Sequence, residues 1–385
     1  MSDESSSSDD ECMALVGLAM ANQVRTHDMW VRDIFKRRST QGTYRLVREM
    51  ALGDEEMYFR YMRMTASSFE FILRRVAPLI VKEQTTFRPP ISPGERLSIT
   101  LRHLATGESH ISLSLQYRVG RATISKLIPE VCKAIYCSLA PDYVVTPNSA
   151  EGWLSVAKRF NDLWNLPHVV GALDGKHVRI QCPKKTGSLY HNYKGFFSMN
   201  LMACCDADLN FLMFDVGQYG SNNDSGVLIQ SEMGQRLANG TLNFPDPSTL
   251  EGCSYDPLPY FLVGDEIFPL KTWLMRPYPG SGLTLEGSIF NYRQSRPRRT
   301  AENTFGMWVN RWRVFHTPII ATPEHVEQLV MAAIALHNFL RKTVLSVYCP
   351  SGYVDYIDPN GRLVPGQWRA EGTGSGVVDV PTGHF

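Results

Sequence analysis

Between about Glu55 and Ile80 the chain reads EEMYFRYMRMTASSFEFILRRVAPLI. Phe, Met, Ile and Leu recur at three- and four-residue spacing with Arg on the other face, a pattern that predicts helices. Paired prolines in the next segment, TTFRPPISPGE, stop a helix and leave an extended linker. The stretch ERLSITLRHLATGESHISLSLQYRVGRATISKLIPEVCKAIY then predicts three short helices parted by Gly107 and Gly120, the spacing of a helix-turn-helix. In this reading Ile111, Leu113 and Leu115 lie on or near the second helix and Val119-Gly120 make the turn. Ile124, Leu127, Ile128 and Val131 bury the third helix. In SAEGWLSVAKRFNDLWNLPH, Ser149 is placed to cap an amphipathic helix that Pro167 ends.

Beyond Val169 the period shortens to that of strands. Four segments qualify: Val169 to Gln181, SMNLMACCDA from Ser198, NFLMFDVGQ from Asn210 and YFLVGDEI from Tyr260. A short polar turn at Asp208-Leu209-Asn210 joins the second and third as a hairpin. Before the fourth, DSGVLIQSEMGQRL has helical periodicity with Asp224 at the N-cap position. RTAENTFGMWVNRWRVF and PEHVEQLVMAAIALHNFLRKTV follow as helices. Strand, hairpin, helix, strand and then helices is the order of a ribonuclease H-like core. The expected fold class is therefore α/β (α+β mixed), a helical N-terminal region with a helix-turn-helix followed by a ribonuclease H-like mixed sheet flanked by helices.

Composition sets the boundaries. With 385 residues, 43% of them hydrophobic, the chain can bury the core of two or three domains. Residues 1–24 open on the acidic, Ser-rich MSDESSSSDDE and are expected to be disordered, as are the Gly-, Pro- and Val-rich residues 346–385. Between them lie a helical region over 25–145, whose helix-turn-helix segment is placed at 94–140, and a ribonuclease H-like domain over 146–345. No run reaches the roughly 18 to 20 apolar residues of a membrane helix. Eight cysteines without a C-x-x-C pair or zinc spacing to His read as reduced, mostly buried thiols of an intracellular protein.

The formal net charge of +1 points to no partner, so the arrangement of charges decides the chemistry. VVGALDGKHVRI sets one carboxylate, Asp174, inside an apolar strand, where an acid without a partner is costly. In the expected fold, acids of the first and fourth strands and of a later helix meet at one sheet edge; these are Asp174, Asp265 and Glu302. Mg²⁺, with Mn²⁺ as the alternative, takes hard oxygen ligands and keeps several waters, so such a trio suffices. Two ions about 4 Å apart would activate a water or a 3′-hydroxyl and steady the leaving oxygen of a phosphodiester. Singly, each acid reads as well as a salt-bridged core residue, a turn former or a solvated glutamate; only the constellation carries the inference. Arg293, Arg296, Arg298 and Arg299 precede Glu302 and Arg311 and Arg313 follow it, a basic cluster suited to phosphate. Arg121, Thr123, Ser125 and Lys126 at the start of the third helix of the helix-turn-helix are left for DNA. His177 is expected to face away from Asp174 as a structural hydrogen-bonding residue, and His337-Asn338 to pack in a core.

Five ordered blocks add to this: GALDGKHVRIQCPKKTGSLYHNYKGFFSMNLMACCDAD, DVGQYGSNNDSGV, FLVGDEIFPLKTWLMRPYPG, FNYRQSRPRRTAENTFG and ALHNFLR. Together they resemble the nuclease domain of PIF/Harbinger-type transposases and the nuclease-like proteins derived from them, over roughly Trp164 to Lys342. The resemblance implies four metal-binding acids, Asp174, Asp224, Asp265 and Glu302, none of them substituted here. Strand count favours Asp265 over Asp224 as the second principal acid and leaves Asp224 auxiliary. It also implies metal-dependent cleavage of double-stranded DNA at transposon-like ends, with strand transfer by the freed 3′-hydroxyl. The alternative is a domesticated DNA- or chromatin-binding regulator that no longer cuts. Such elements commonly encode a Myb-like DNA-binding partner that accompanies the nuclease into the nucleus. Beyond Lys36-Arg37-Arg38 the chain shows no clear basic localisation cluster, so nuclear entry through such a partner is expected, with the cytoplasm as its place otherwise.

Overall fold

The structure, a computed structural model, describes residues 32–84, 89–250, 252, 254–358 and 362–371. The expected N-terminal disordered segment, residues 1–24, lies outside them, as do residues 372–385. Two short helices, α1 (Asp33–Lys36) and α2 (Arg38–Gln41), lead into α3 (Thr43–Gly53), α4 (Glu55–Met62) and α5 (Ala66–Ile80). Side-chain caps from Asp54 and Thr65 start the last two. Next come α6 (Pro93–Thr106), α7 (His110–Tyr117) and α8 (Arg121–Tyr143). Ser92 caps α6 with Pro93 in the first turn, and Gly107 ends it at φ 70°, a left-handed conformation that glycine adopts without strain. The expected third short helix is instead 23 residues long and runs through Pro129 and Pro141. Burial of Leu127, Val131, Ile135 and Leu139 along one face holds it together despite the two missing N–H donors.

Ser149 caps α9 (Ala150–Trp164), as its position predicted. The sheet follows: β1 (Val169–Arg179), β2 (Ser198–Cys205), β3 (Phe211–Tyr219), then α10 (Asp224–Gln230), α11 (Glu232–Ala238), β4 (Phe261–Val263) and β5 (Leu274–Met275). Its order is β3-β2-β1-β4-β5, with β1 antiparallel to β2 and parallel to β4. This mixed sheet, flanked by helices on both faces, is the ribonuclease H-like arrangement that the element order called for. The cap of α10 is Asn223, whose side chain accepts from Gly226 N, and not Asp224, which is the first helical residue.

Alternation along the strands divides the core. Ala172 and Val178 of β1 and Leu201, Ala203 and Cys205 of β2 face one cluster; Val170, Leu173, Met202 and Cys204 face the other. The first cluster is covered by α12 (Leu285–Arg311) and α13 (Pro323–Thr343), and it runs on without a break into the buried faces of α3 to α8. Asn338 of α13 stitches this junction. Its side chain exchanges hydrogen bonds with Phe211 N (2.9 Å) and Phe211 O (2.8 Å) and donates to Tyr143 O at 2.8 Å. His337 beside it lies 2.8 Å from Leu209 O and 2.9 Å from the Tyr348 hydroxyl. Both residues are core, as expected, and both are fully hydrogen-bonded there.

The expected disorder of 346–385 is corrected over its described part. After α14 (Leu345–Tyr348) come the hairpin strands β6 (Tyr356–Ile357) and β7 (Leu363–Val364) and the short α15 (Trp368–Glu371). Trp368 is 4% exposed and Asp355 3%. Gly and Pro enrichment hides a few strong anchors, and those anchors decide the structure. No described helix is long and apolar enough to cross a membrane.

Candidate functional site

Parallel pairing brings two acids level. Ala172 of β1 is opposite Val263, the last residue of β4; Asp174 lies two residues further along β1 and Asp265 two residues past the end of β4. Asp265 stands in the turn after β4, not on its last residue, and its carboxylate accepts from Ile267 N at 3.1 Å. Asp174 accepts from Gly175 N at 2.9 Å. By strand alternation Asp174 shares the sheet face that α12 covers. That helix is seated by Gln294, whose amide donates to Gly264 O at 2.7 Å, and it carries Glu302 near enough to Asp174 for the two charges to interact. It begins at Leu285, well before the expected start near Arg299, and passes through Pro297.

Asp224 approaches from the opposite face. A Cβ on Gly175 would stand 2.4 Å from Asp224 Oδ1, so only glycine lets the carboxylate lie against β1. Asp174 thus lies at the middle of β1, level with the end of β4, with Glu302, Asp265 and Asp224 near enough for their charges to act on it.

Their charges act on one another. Burial pushes the Asp174 carboxyl up to about 7, and the Glu302 and Asp265 carboxylates push the same way. Burial also raises Asp224, with a contribution from Asp265, and raises Asp265 itself. Opposing cations are Arg298, which favours the charged forms of Asp174 and Asp265, and Lys194, which does so for Asp224. Four crowded carboxylates with so little compensation suit a divalent cation and its hard oxygen ligands. As placed, no three His, Cys, Asp or Glu side chains among the described residues converge closely enough to ligate one ion. Glu302 is turned toward arginines instead, 3.3 Å from Arg298 and 3.7 Å from Arg369.

The basic residues divide into groups. Arg298, expected to hold phosphate, lies within the acid cluster. Arg296 and Arg299 are half-buried on the same helix, Arg296 beside the Tyr292 ring. Arg311 is buried: its guanidinium stacks on Tyr348, Tyr353 and Phe59 and donates to Tyr348 O. It is a structural arginine, so the phosphate role expected from its charge is withdrawn. On α8, Arg121, Thr123 and Lys126 are exposed and Ser125 half-buried, while Ile124, Leu127 and Ile128 point inward.

The sequence reading assigns no functional role to Lys176, at most a salt bridge to Asp174, or to the arm from Pro183 to Phe197. Lys176 shares a face with Asp174 and lies 5.7 Å from the Phe305 ring centre. The arm carries Lys184, Lys185 and Lys194, all exposed, and Tyr193, 81% exposed. The YHNYKGFF block carried this signal, since aromatics interleaved with lysine next to a nuclease motif fit nucleic acid. His177 faces away from Asp174 as expected, with Nδ1 2.9 Å from Ser198 Oγ.

Comparison with known proteins agrees with this geometry. The family described as DDE superfamily endonuclease matches residues 173–338. The Arabidopsis thaliana protein named ALP1-like is 24% identical over 74% of this chain and 71% of its own length. Also from Arabidopsis thaliana, the protein named Antagonist of like heterochromatin protein 1 is 24% identical over 79% and 80%. The Homo sapiens protein named Putative nuclease HARBI1 is 25% identical over 64% and 67%. No solved structure matches the chain significantly. Residues 173–338 are thus similar to a DDE superfamily endonuclease domain, and the relatives of this chain include proteins named as nucleases.

Proposed function

We propose that the protein is a metal-dependent DNA endonuclease of the transposase type, with Asp174, Asp265 and Glu302 as its principal acids and Asp224 as an auxiliary one. The observation that carries this reading is the placement of Asp174 on β1 and of Asp265 just past the end of the parallel strand β4, with the helix that bears Glu302 packed on β1. Bound Mg²⁺ or Mn²⁺ would supply charge stabilisation at the phosphodiester and a nucleophile at neutral pH. The chain's own part is to supply the carboxylates, with Glu302 turning from Arg298 toward the ion as it binds. Arg296 and Arg299 on α12 and the lysines of the Pro183 to Phe197 arm would grip phosphates on either side. Exposed Tyr193 offers a face on which a base can stack. The first turn of α8, with Arg121, Thr123, Ser125 and Lys126, would reach the duplex further from the cut.

A working place in the nucleus accompanies a DNA substrate. Arg38 of the Lys36-Arg37-Arg38 cluster is spent on Pro89 and Pro90 carbonyls, at 3.2 and 3.0 Å, and on Glu95. That use leaves a weak import signal and supports entry with a DNA-binding partner, for which a Myb-like protein is the expectation.

The second reading, a chromatin-binding regulator that does not cut, draws on the name of one Arabidopsis relative, an antagonist of a heterochromatin protein. A cleavage assay on duplexes with matched terminal repeats separates the two. With Mg²⁺ present, the nuclease reading expects nicking that leaves a 3′-hydroxyl and that stops on chelation. DNA binding without metal-dependent cutting, under any divalent cation and with the partner supplied, would refute it.

A further inference from the structure

The hairpin and short helix from Tyr353 to Glu371 lie beyond the region that matches the nuclease family. They nonetheless dock on α12. Trp368 fills the hollow at Gly306, where a Cβ would stand 2.2 Å from its ring. Its indole N–H donates to Asn303 Oδ1 at 2.9 Å, and its carbonyl accepts from Asn310 at 2.6 Å. Asn303 also donates to Asp355 O at 3.3 Å. This strap carries Arg369, which is gripped from behind by the buried Asp355: its Nε donates at 2.9 and 3.1 Å to the two carboxylate oxygens and its Nη2 donates to Oδ2. Asp355 is fixed in turn by Gly366 N at 2.8 Å. From that mount Arg369 Nη2 reaches Glu302 Oε2 at 3.7 Å.

The two arginines on Glu302 stand on different footings. Arg298 reaches Oε1 from one helical turn away, on a side chain that is 32% exposed. Arg369 is fixed by a buried carboxylate that already balances its charge, so it opposes an arriving cation by much less than a full unit. We propose that Arg369 is a positioning residue for Glu302: the C-terminal strap holds Oε2 in place while Arg298 gives way and Oε1 becomes available to metal. This rests on reading Glu302 as a metal-holding acid.

The test is Mn²⁺ binding to the full chain, followed by the paramagnetic resonance of free Mn²⁺, in wild type, Arg369→Gln, Glu302→Gln and the double variant. Simple charge removal predicts tighter Mn²⁺ binding in Arg369→Gln. Positioning predicts the opposite, a Kd raised roughly three- to tenfold, the usual size of a coupling between contacting residues, and no further rise in the Glu302→Gln background. Tighter binding, or the same change in both backgrounds, would overturn the proposal. If Glu302→Gln itself leaves the Kd unchanged, the nuclease-site reading fails instead. Should Arg369→Gln lose cooperative unfolding, Arg369→Lys repeats the cycle. It keeps the charge on Asp355 without the fork and is expected to raise Kd less, again only when Glu302 is present; a Glu302-independent change would overturn the proposal there too.

Discussion

Replacing Asp174 with Asn removes a charge that the fold holds at a cost. The side chain keeps its shape and its acceptor for Gly175 N. In the folded protein the carboxyl is pushed from an ordinary 3.8 up to about 7. The sign follows from proton linkage. Between these values the folded state binds more protons than the unfolded one, so the metal-free protein loses stability as pH rises from about 4 to 7 and is level beyond. At about 1.4 kcal/mol per unit the full loss is on the order of 4 kcal/mol at pH 8, and under about 2 kcal/mol at pH 5. Asp174→Asn should therefore stabilise the chelated protein at pH 8 by roughly 2–3 kcal/mol more than at pH 5. Urea unfolding in EDTA at both pH values measures this from the midpoint at fixed slope. Saturating Mg²⁺ should narrow the gap by stabilising wild type at pH 8 and not the variant. If the variant is destabilised equally at both pH values, Asp174 is an ordinary satisfied acid and the strain argument fails.

Other outcomes follow from the same geometry. Lys126→Ala should weaken duplex binding and lower the salt slope by about one, read from binding isotherms at several salt concentrations; an unchanged slope would make α7 and α8 a structural pair only. Glu302→Gln should abolish cleavage while leaving DNA affinity nearly intact, and Arg299→Ala should lower affinity while sparing the rate at saturating DNA. Wild-type single-turnover rates in Glu302→Gln would remove that residue from the site. Gly175→Ala forces Asp224 aside and should cost about 1–3 kcal/mol of stability, most of it recovered in the Gly175→Ala, Asp224→Gly double variant. Strictly additive melting shifts would show that the two do not press on each other.

The sheet and its acids were legible for a physical reason. A strand's period of two, with Cys204 and Cys205 falling into opposite cores, marks faces unambiguously. Asp174 broke an apolar run, and its order with Asp265 and Glu302 along the chain, not the break alone, pointed to a shared site. Less was readable where contacts are distant or charge alone was the signal. The start of α12 was hidden because LEGSIFNYRQSRP lacks a clean apolar stripe and contains Pro297; the helix is fixed by Gln294 on Gly264, 30 residues away in sequence. Arg311 counted as a surface cation until its stacking on three aromatic rings was seen. The strap beyond Pro350 looked like a tail because its anchors, Asp355, Trp368 and Arg369, meet partners 52 to 67 positions earlier. No local pattern encodes such pairings.

Anomalous diffraction from crystals soaked in Mn²⁺ at pH 8 tests the central claim most directly. The account predicts a peak beside the middle of β1 and the end of β4, bounded by Asp174 and Asp265, with the Glu302 side chain turned from Arg298 toward it and no such peak in Asp174→Asn crystals. Well-occupied Mn²⁺ elsewhere on the molecule, with this cluster empty and Glu302 still on Arg298, would contradict it.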